Sequence, residues 1–364
     1  MSNVLNGIRP LLGDHRKAHR AVGIALAVPT VLVVLCCGYI GWAYAEGRTR
    51  TVWLVNGLDR DYDVNLNGRT VHLDAFSQQR IRIAEGEIHV TSVDHSLPLA
   101  EQSCEIDTPL LTRPFDQTTF VINPDRAALL YEDQTLYATD IREARDSDQR
   151  HYFTGELLYR VSGVDYAFAP FPETVKVSGG RVQKKRLALL SEGDEFHRLR
   201  LIGNEISREA ATEYACTQAL CYPDDRQALV VALSRMQPPD AMKFLRAGLD
   251  HRPVWLVWHR MYQETSQRMR PEFDLAGEYR GLLAAEPNDA TLMYLLGRVT
   301  PDDAERDKLF QQSTRGSKPC AFGFFALAYE ALAQGDFEPA LLMIDKAMSL
   351  APNQEQFRGV KIES

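Results

Sequence analysis

The feature that most constrains this chain is an apolar stretch near its beginning. Residues 21–45 contain no charged side chain. At about 1.5 Å of rise per residue, a helix of that length crosses a hydrocarbon core of roughly 30 Å. No later segment is as long and as apolar, so the sequence predicts a single-pass membrane protein. We expect a short head (residues 1–20), one transmembrane helix (residues 21–45) and a large domain held at a membrane surface.

The charges beside the apolar stretch predict its orientation. The head carries Arg9, Arg16, Lys17 and Arg20 against a single acid, Asp14. Because Lys and Arg accumulate on the cytoplasmic side of a membrane helix, we expect the head to be cytoplasmic. The large domain is then extracytoplasmic, in a periplasm or cell envelope. A body facing the cytosol is the alternative, because arginines also follow the apolar stretch.

The end of the apolar stretch contains a candidate cleavage site. Ala43-Tyr44-Ala45 is an A-x-A pattern that a signal peptidase can cut before Glu46. A cleavable signal has an apolar region of about 7–15 residues, and this stretch is much longer. We therefore expect the helix to be retained as an anchor.

The charge of the large domain argues against nucleic acid as a partner. The whole chain has a formal net charge of −8, and the head contributes +3, which leaves −11 after the anchor. Nucleic-acid phosphates require a basic face, so no nucleic-acid binding is expected. The dense basic run Lys184-Lys185-Arg186 is expected to be a solvated loop edge.

Two of the four cysteines that follow the anchor are candidates for a disulfide. Cys216 and Cys221 are five positions apart, and in an oxidising compartment they are the pair most suited to bonding. Because five positions along one helix point apart, the bond requires a break in the helix, which Pro223 favours. No histidine lies near this pair, so no metal site is expected there.

Alternating residues and turn signals predict β-strands from Thr51 to about Leu190. Asn67-Gly68 supplies the two positive φ angles of a type I′ hairpin, and the Ala84–Glu87 segment predicts a second hairpin. Strands spaced about ten residues apart, with such turns between them, are typical of a sandwich. The sequence predicts an antiparallel β-sandwich-like module in residues 51–138, followed by further strands and a linker in residues 139–205.

Part of this strand-rich half resembles a known envelope module. The segments Val64–Gly68 and Ile83–Val90 are similar to a PEGA-type or related immunoglobulin-like module over roughly 50 residues, although Ala-Glu-Gly-Glu replaces the Pro-Glu-Gly-Ala tetrad of that family. The resemblance implies an extracytoplasmic spacer or adhesion unit.

The second half of the chain has a helical period, and it is clearest between Ala321 and Pro352. Leu327 and Ala328 fall on one helix face, and Gly335-Asp336 follows as a turn before a second helix. This segment resembles a tetratricopeptide repeat (TPR) at nearly every signature position, except that the usual tyrosine of the first helix is Ala331. The resemblance implies an α-helical solenoid that holds peptides or partner proteins.

Prolines mark the repeat period. They are 34, 32 and 33 residues apart, close to the TPR period of about 34, at Pro253, Pro287, Pro319 and Pro352. The spacing predicts three repeats from about Val254 and a degenerate fourth in residues 208–253. The TPR-like region then spans residues 206–352 and leaves residues 353–364 as a tail.

Six side chains are predicted to line a partner-binding groove. Phe322, Phe325 and Tyr329 lie at i, i+3 and i+7 on one face of the last repeat's first helix, and the analogy with TPR proteins places that face in the groove. The corresponding face of the preceding repeats carries Tyr294, Arg298 and His259. The alternative is that the aromatic side chains pack against the preceding helix pair.

The end of the solenoid predicts a further contact. The last helix carries Leu341, Leu342, Met343 and Met348, and the short tail offers Phe357, Val360 and Ile362 to cover them. A solenoid end needs a polar cap, so we expect this face to meet another surface. A homodimer through the last repeat is the simplest arrangement.

The sequence contains no catalytic, metal-binding or cofactor-binding motif that we recognise, so no cofactor and no metal are expected. We favour a membrane-anchored, exported scaffold or assembly factor that binds protein or peptide partners through its TPR-like repeats, rather than an enzyme. The alternative is an enzyme or ligand sensor with an unrecognised site in the strand-rich half, where Asp146, His151 and Glu156 are candidates.

Overall fold

The computed structural model describes residues 30–93, 101–138, 150–176, 180–354 and 356–359, together with the backbone of 145–146. The head predicted for residues 1–20 and the first part of the predicted membrane helix lie outside the described residues. The chain divides into two compact units, Met1–Thr217 and Gln218–Ser364. The sequence placed the change from strands to helices at about residue 205, whereas the first unit extends to Thr217 and includes the helix Glu195–Glu205 and most of the helix Arg208–Cys221.

Helix α1 (Thr30–Arg48) belongs to the first unit. Among the described residues it is the one helix that is long and apolar enough to cross a membrane, by length and composition. The side chains from Val31 to Leu35 are exposed, whereas Ala43 is fully buried. Gly47 also faces the rest of the unit, because a Cβ there would lie 2.5 Å from Nη1 of Arg113. A larger residue at position 47 would therefore require the Arg113 side chain to move.

The strands of the first unit form three sheets. The strands are β1 (Arg50–Val55), β2 (Tyr62–Leu66), β3 (Arg69–Leu73), β4 (Gln78–Ile83), β5 (Gly86–Ser92), β6 (Gln102–Ile106), β7 (Thr119–Ile122), β8 (Leu130–Ala138), β9 (Arg145–Asp146), β10 (His151–Phe153), β11 (Leu158–Val161), β12 (Tyr166–Ala167) and β13 (Arg181–Leu189). The first sheet has the order β11-β7-β1-β4 and the third has the order β3-β2-β5-β6. The second has the order β10-β8-β13-β12, with β9 paired to β8.

One of the two predicted hairpins is present. Leu66 pairs with Arg69 across the β2–β3 turn, where Asn67 and Gly68 have φ angles of 49° and 86°. The hairpin predicted at Ala84–Glu87 is wrong. Strand β4 pairs with β1 in the first sheet, and β5 pairs with β2 and β6 in the third. Residues 84–85 instead carry the chain from one sheet to another, which alternation along a single strand cannot reveal.

The predicted antiparallel sandwich in residues 51–138 needs correction in two respects. Strand β1 pairs with β7 in parallel, so the first sheet is mixed. Residue 138 is also not a boundary, because β13 pairs with β8 along nine residues and β11 completes the first sheet. A core lies between the first and second sheets and is formed by Val55, Val121, Ala128, Leu130, Tyr159, Val161 and Leu187. These residues come from both of the predicted segments, 51–138 and 139–205. The two segments therefore share one core.

The helices that follow the strands are short. They are α2 (Glu195–Glu205), α3 (Arg208–Cys221), α4 (Arg226–Ser234), α5 (Pro238–Ala247), α6 (Leu256–Met269), α7 (Leu275–Ala285), α8 (Ala290–Val299), α9 (Asp303–Ser313), α10 (Ala321–Gln334) and α11 (Phe337–Leu350). Aspartates start several of them, because a carboxylate at the N-cap accepts hydrogen bonds from free backbone amides. Asp274, Asp289 and Asp302 each accept one such bond, from residues 277, 292 and 305.

Three successive helix pairs, α6–α7, α8–α9 and α10–α11, match the three predicted TPR-like repeats. The first helices of neighbouring pairs contact each other, α6 with α8 and α8 with α10. Small residues permit the close approach within a pair: a Cβ on Gly297 would lie 2.6 Å from the Phe310 ring. The degenerate fourth repeat is wrong, because residues 208–253 form three short helices, and the division between the two units falls inside α3.

The predicted Cys216–Cys221 disulfide is not formed in the structure. Both residues lie in the continuous helix α3, whose last residue is Cys221. Five positions along a helix turn the two side chains about 140° apart, which is too far for a disulfide. Pro223 follows the helix end and does not break the helix between the two cysteines.

Candidate functional site

The face shared by the first helices α6, α8 and α10 is the candidate site, and three of the six predicted groove residues are buried beneath it. His259 is 0% exposed, Tyr294 5% and Phe322 7%. They therefore support the face from below and are not available to a partner. The prediction that these three residues line the groove is therefore wrong. They are buried because the first helix of each pair packs against the first helix of the next pair.

Aromatic rings fill the space between α8, α10 and the tail. The Tyr294 and Phe322 ring centroids are 5.8 Å apart, and Phe357 of the tail lies 5.0 Å from Phe322 and 4.8 Å from Phe325. Phe357 is fully buried. The tail residue therefore covers part of the α10 face that the sequence left open.

Two predicted groove residues remain accessible on α10. Tyr329 is 58% exposed, and Phe325 is half-buried. Their ring centroids are 5.6 Å apart in an edge-to-face arrangement. An exposed tyrosine beside a half-buried phenylalanine offers an apolar contact surface with a hydroxyl at its edge, which is common in protein interfaces.

Arg298, the sixth predicted residue, is held in place by α6. Its Nη1 donates to Oε1 of Gln263 at 3.0 Å, and its Nη2 lies 3.6 Å from Oε1 of Glu264. Gln263 is fixed in turn, because its Nε2 donates to the Leu295 carbonyl at 2.8 Å. The guanidinium is half-buried on the candidate face, so its position is set before any partner binds.

Arg260 is the residue on this face that the sequence analysis missed. Its guanidinium lies 5.1 Å from the centre of the Phe322 ring. The residue is half-buried and forms no ion pair with any of the described residues. Burial lowers the pKa of Arg260, and the charges of Arg298 and Arg226 act in the same direction, whereas Tyr294 and Glu264 act in the opposite direction. A half-buried cation without an ion pair of its own favours the arrival of an anion.

The repeat period contained the signal for Arg260. A step of 34 residues back from Tyr294 reaches position 260, whereas the sequence analysis selected its neighbour His259. His259 points into the core, where its Nδ1 lies 3.0 Å from the hydroxyl of Tyr279. Adjacent residues on a helix point about 100° apart, so an error of one position selects a core residue instead of a surface residue.

A cavity of about 1140 Å³ is a second concave feature of the helical unit. It lies between the end of α7, the start of α8 and the loop after α9. Arg280, Asp289, Arg315 and Lys318 supply its charged lining, and Arg280 pairs with Glu305 at 3.0 Å. No side chain of the predicted groove lines this cavity.

The strand-rich unit contains a buried carboxylate, Asp125, with a structural role. Its Oδ2 accepts hydrogen bonds from the amide of Gly57 at 2.9 Å and the hydroxyl of Tyr62 at 2.8 Å, and its Oδ1 accepts from the amide of Ala127 at 2.7 Å. Burial raises the pKa of Asp125, and these hydrogen bonds lower it. With both oxygens engaged, the carboxylate holds two loops together and is not placed to act on a substrate.

The residues named for the enzyme alternative do not assemble into a site among the described residues. His151 and Glu156 are exposed, and the side chain of Asp146 lies outside the described part of the chain. Within the described ranges, no group of three or more His, Cys, Asp or Glu side chains is arranged to hold a metal ion.

Comparison with known proteins finds similarity to solved helical-repeat structures. No protein-family model matches the chain. No curated protein matches it either. MamA (residues 41 to the end) from Desulfovibrio magneticus RS-1 is 19% identical, with 44% of this chain and 98% of that chain covered at a TM-score of 0.25. A tetratricopeptide repeat protein from Parabacteroides merdae ATCC 43184 is 18% identical, with 45% and 67% covered at a TM-score of 0.30. TM-scores this low carry no conclusion about partners.

Proposed function

We propose that this protein is a membrane-anchored interaction scaffold whose helical unit binds a segment of a partner protein. The anchor is α1, the body is extracytoplasmic and the head is cytoplasmic. The strand-rich unit is the part of the body nearest the anchor in sequence, because β1 begins at Arg50, two residues after α1 ends.

The observation that carries the proposal is Arg260. A half-buried guanidinium without an ion pair among the described residues lies over Phe322, which shares helix α10 with Phe325 and the exposed Tyr329. Arg298, fixed by Gln263, lowers the pKa of Arg260 as a like charge, and Glu264, 3.6 Å from Arg298, offsets part of that effect. An acidic side chain of a partner would relieve this repulsion, and an adjacent apolar side chain would contact the Phe325–Tyr329 pair. The partner segment is therefore acidic and apolar.

A peptide-display selection tests this proposal directly. The full chain, reconstituted in lipid nanodiscs, is used to select peptides from a random library, and selected peptides are measured by fluorescence polarisation. We expect enrichment of Asp or Glu next to Leu, Phe or Tyr. Arg260→Ala should weaken binding by at least about tenfold, in the range for an interface arginine hot spot, and added salt should weaken it further.

The matched control is Arg268→Ala on the same helix. Arg268 is exposed and lies near the end of α6, so its removal changes the net charge equally and should leave affinity unchanged. Selected peptides without acidic residues, or equal affinities for the parent and Arg260→Ala chains, would overturn the acidic-partner proposal.

We also propose that the last repeat associates with a second copy of the chain. On α11, large apolar side chains remain exposed after the tail has packed: Phe337 at 59%, Leu341 at 36%, Leu342 at 65% and Leu350 at 44%. One self-complementary patch can serve both copies across a two-fold axis. Sedimentation of the full chain in detergent should show a dimer that Leu342→Glu dissociates and Gln334→Glu, on α10, does not. A monomeric parent chain would refute this proposal.

A further inference from the structure

An apolar loop beside α1 is the most exposed large hydrophobic surface of the first unit outside the helix itself. This segment, residues 109–115, is called the apolar loop below. Leu110 is 40% exposed, Leu111 74% and Phe115 67%. Soluble surfaces seldom show contiguous apolar side chains of this size without a partner.

The apolar loop is fastened to the helix. The hydroxyl of Tyr39 donates a hydrogen bond to the Leu111 carbonyl. The Phe115 ring lies 6.3 Å from Tyr39 and 5.9 Å from Trp42, between centroids. About two turns after Tyr39, the Gly47 carbonyl accepts from the amide of Glu85 at 2.7 Å. These contacts fix the height of the loop along the helix axis.

The loop lies beside a part of α1 that precedes the end of the charge-free stretch. Tyr39 precedes Glu46, the first charged residue after the stretch, by seven positions, which is about 10 Å along a helix. The headgroup layer on each side of a bilayer is roughly 5–8 Å thick. If Glu46 lies at the water boundary, Leu111 therefore lies near the boundary between headgroups and acyl chains. Tyr39 and Trp42 are the residue types that favour this depth.

Several polar groups of the loop are bonded within the protein. The amides of Thr112 and Arg113 donate to the Pro109 carbonyl at 3.0 and 2.9 Å, and the amide of Phe115 donates to the Thr112 carbonyl at 2.9 Å. The Thr112 hydroxyl also donates to Pro109. Internal pairing of this kind lowers the cost of leaving water.

The one charged side chain of the loop turns back into the protein. Nη2 of Arg113 donates to the Thr108 carbonyl at 2.9 Å and pairs with Glu85 at 2.9 Å, and that carboxylate is itself buried. The loop therefore presents leucine and phenylalanine outward and holds its charge inward. Apolar side chains facing outward and a charged side chain facing inward are suited to contact with the membrane interface.

We propose that the apolar loop inserts into the outer leaflet of the bilayer that α1 crosses, with lipid as its occupant. The inference rests on the membrane anchoring proposed above. Leu110, Leu111 and Phe115 contact acyl chains and lipid glycerol groups, and the loop and α1 form two attachment points. Attachment through both the loop and α1 fixes the tilt of the strand-rich unit relative to the bilayer. Attachment through α1 alone, with a flexible connection, would not fix it.

The test uses the full chain in phosphatidylcholine–phosphatidylglycerol liposomes. Cys36 and Cys37 are replaced by alanine, and Leu111→Cys carries an environment-sensitive NBD fluorophore. Thr70→Cys, on the exposed β3 strand, is the matched control. Each label is exposed to lipids with a nitroxide on the acyl chain and, separately, to aqueous iodide.

We expect the lipid nitroxide to reduce emission at position 111 at least twofold while iodide has little effect. Position 70 should respond to iodide and not to the lipid quencher. A label at position 111 that iodide quenches, in a protein that floats with the liposomes, overturns the loop insertion and leaves the anchor intact. A protein that fails to float with the liposomes overturns the anchoring, and the loop insertion with it.

Discussion

At the scale of single residues, the protonation state of one buried histidine affects the stability of the helical unit. His259 is fully buried, with Nδ1 3.0 Å from the hydroxyl of Tyr279. Burial lowers its pKa from 6.5 to about 4, and the nearby charge of Arg252 acts in the same direction. The neutral imidazole is the form that the fold accommodates, because a charged ring would have to be desolvated.

This histidine predicts a pH dependence of stability. The unfolded chain binds a proton to His259 below about pH 6.5 and the folded chain does not until about pH 4, so folding stability is present above 6.5 and falls between those values. At pH 5 the loss should be on the order of 2 kcal/mol. Urea titrations at pH 7 and pH 5 measure it. His259→Gln should show a smaller difference between the two pH values, and an equal difference would exclude His259 as the cause.

The tail and helix α10 form a single packing element. Phe357 contacts both Phe322 and Phe325 and has no exposed surface. The tail therefore closes the aromatic stack that begins at Tyr294 on α8, although it leaves the apolar side chains of α11 uncovered. The four-residue helical turn at 356–359 is held by this ring and by a hydrogen bond from Nη2 of Arg358 to the Pro352 carbonyl at 2.8 Å.

Removal of that ring predicts a large loss of stability. Phe357→Ala should cost roughly 3–5 kcal/mol, the range for a fully buried phenylalanine, because it leaves a cavity over Phe322. Leu350→Ala provides the control: that side chain is 44% exposed and should cost about 1 kcal/mol or less. Urea midpoints of the full chain in detergent compare the two, and similar midpoints would show that the tail does not support the helical unit.

At the scale of the whole molecule, the proposed arrangement has a head and a body on opposite sides of a membrane. The four cysteines after the anchor are poor targets for a thiol reagent. Burial raises the pKa of Cys104 and of Cys216 to about 11, and Cys221 and Cys320 are buried. At pH 7 a thiol with that pKa is almost entirely protonated and therefore unreactive.

A cysteine placed on each side therefore reports the topology. A maleimide that cannot cross membranes should label Ser349→Cys, on the exposed side of α11, when the cell membrane is intact. Ser2→Cys should react only after lysis. The reverse pattern would place the body in the cytosol, and a mature chain that begins at Glu46 would mean that the anchor is cleaved.

Local patterns in the sequence determined the elements of this protein. The charge-free stretch specified a long apolar helix, Asn67-Gly68 specified a tight hairpin, and the proline period specified three helix pairs. Each of these depends on backbone preferences or on periodicity along the sequence, and none requires knowledge of tertiary contacts. Tyr329 is exposed and Phe325 half-buried, and their place in a partner-binding groove stays a prediction.

Tertiary packing decided everything that depends on distant residues. The sequence could not show that β4 leaves β5 to pair with β1, because alternation is the same in either partnership. It could not show that Phe357 covers Phe322, that Arg260 rather than His259 reaches the surface, or that residues 109–115 lie against α1. Burial and ion pairing are properties of neighbours brought together by the fold, and those neighbours are separated by tens of residues along the chain.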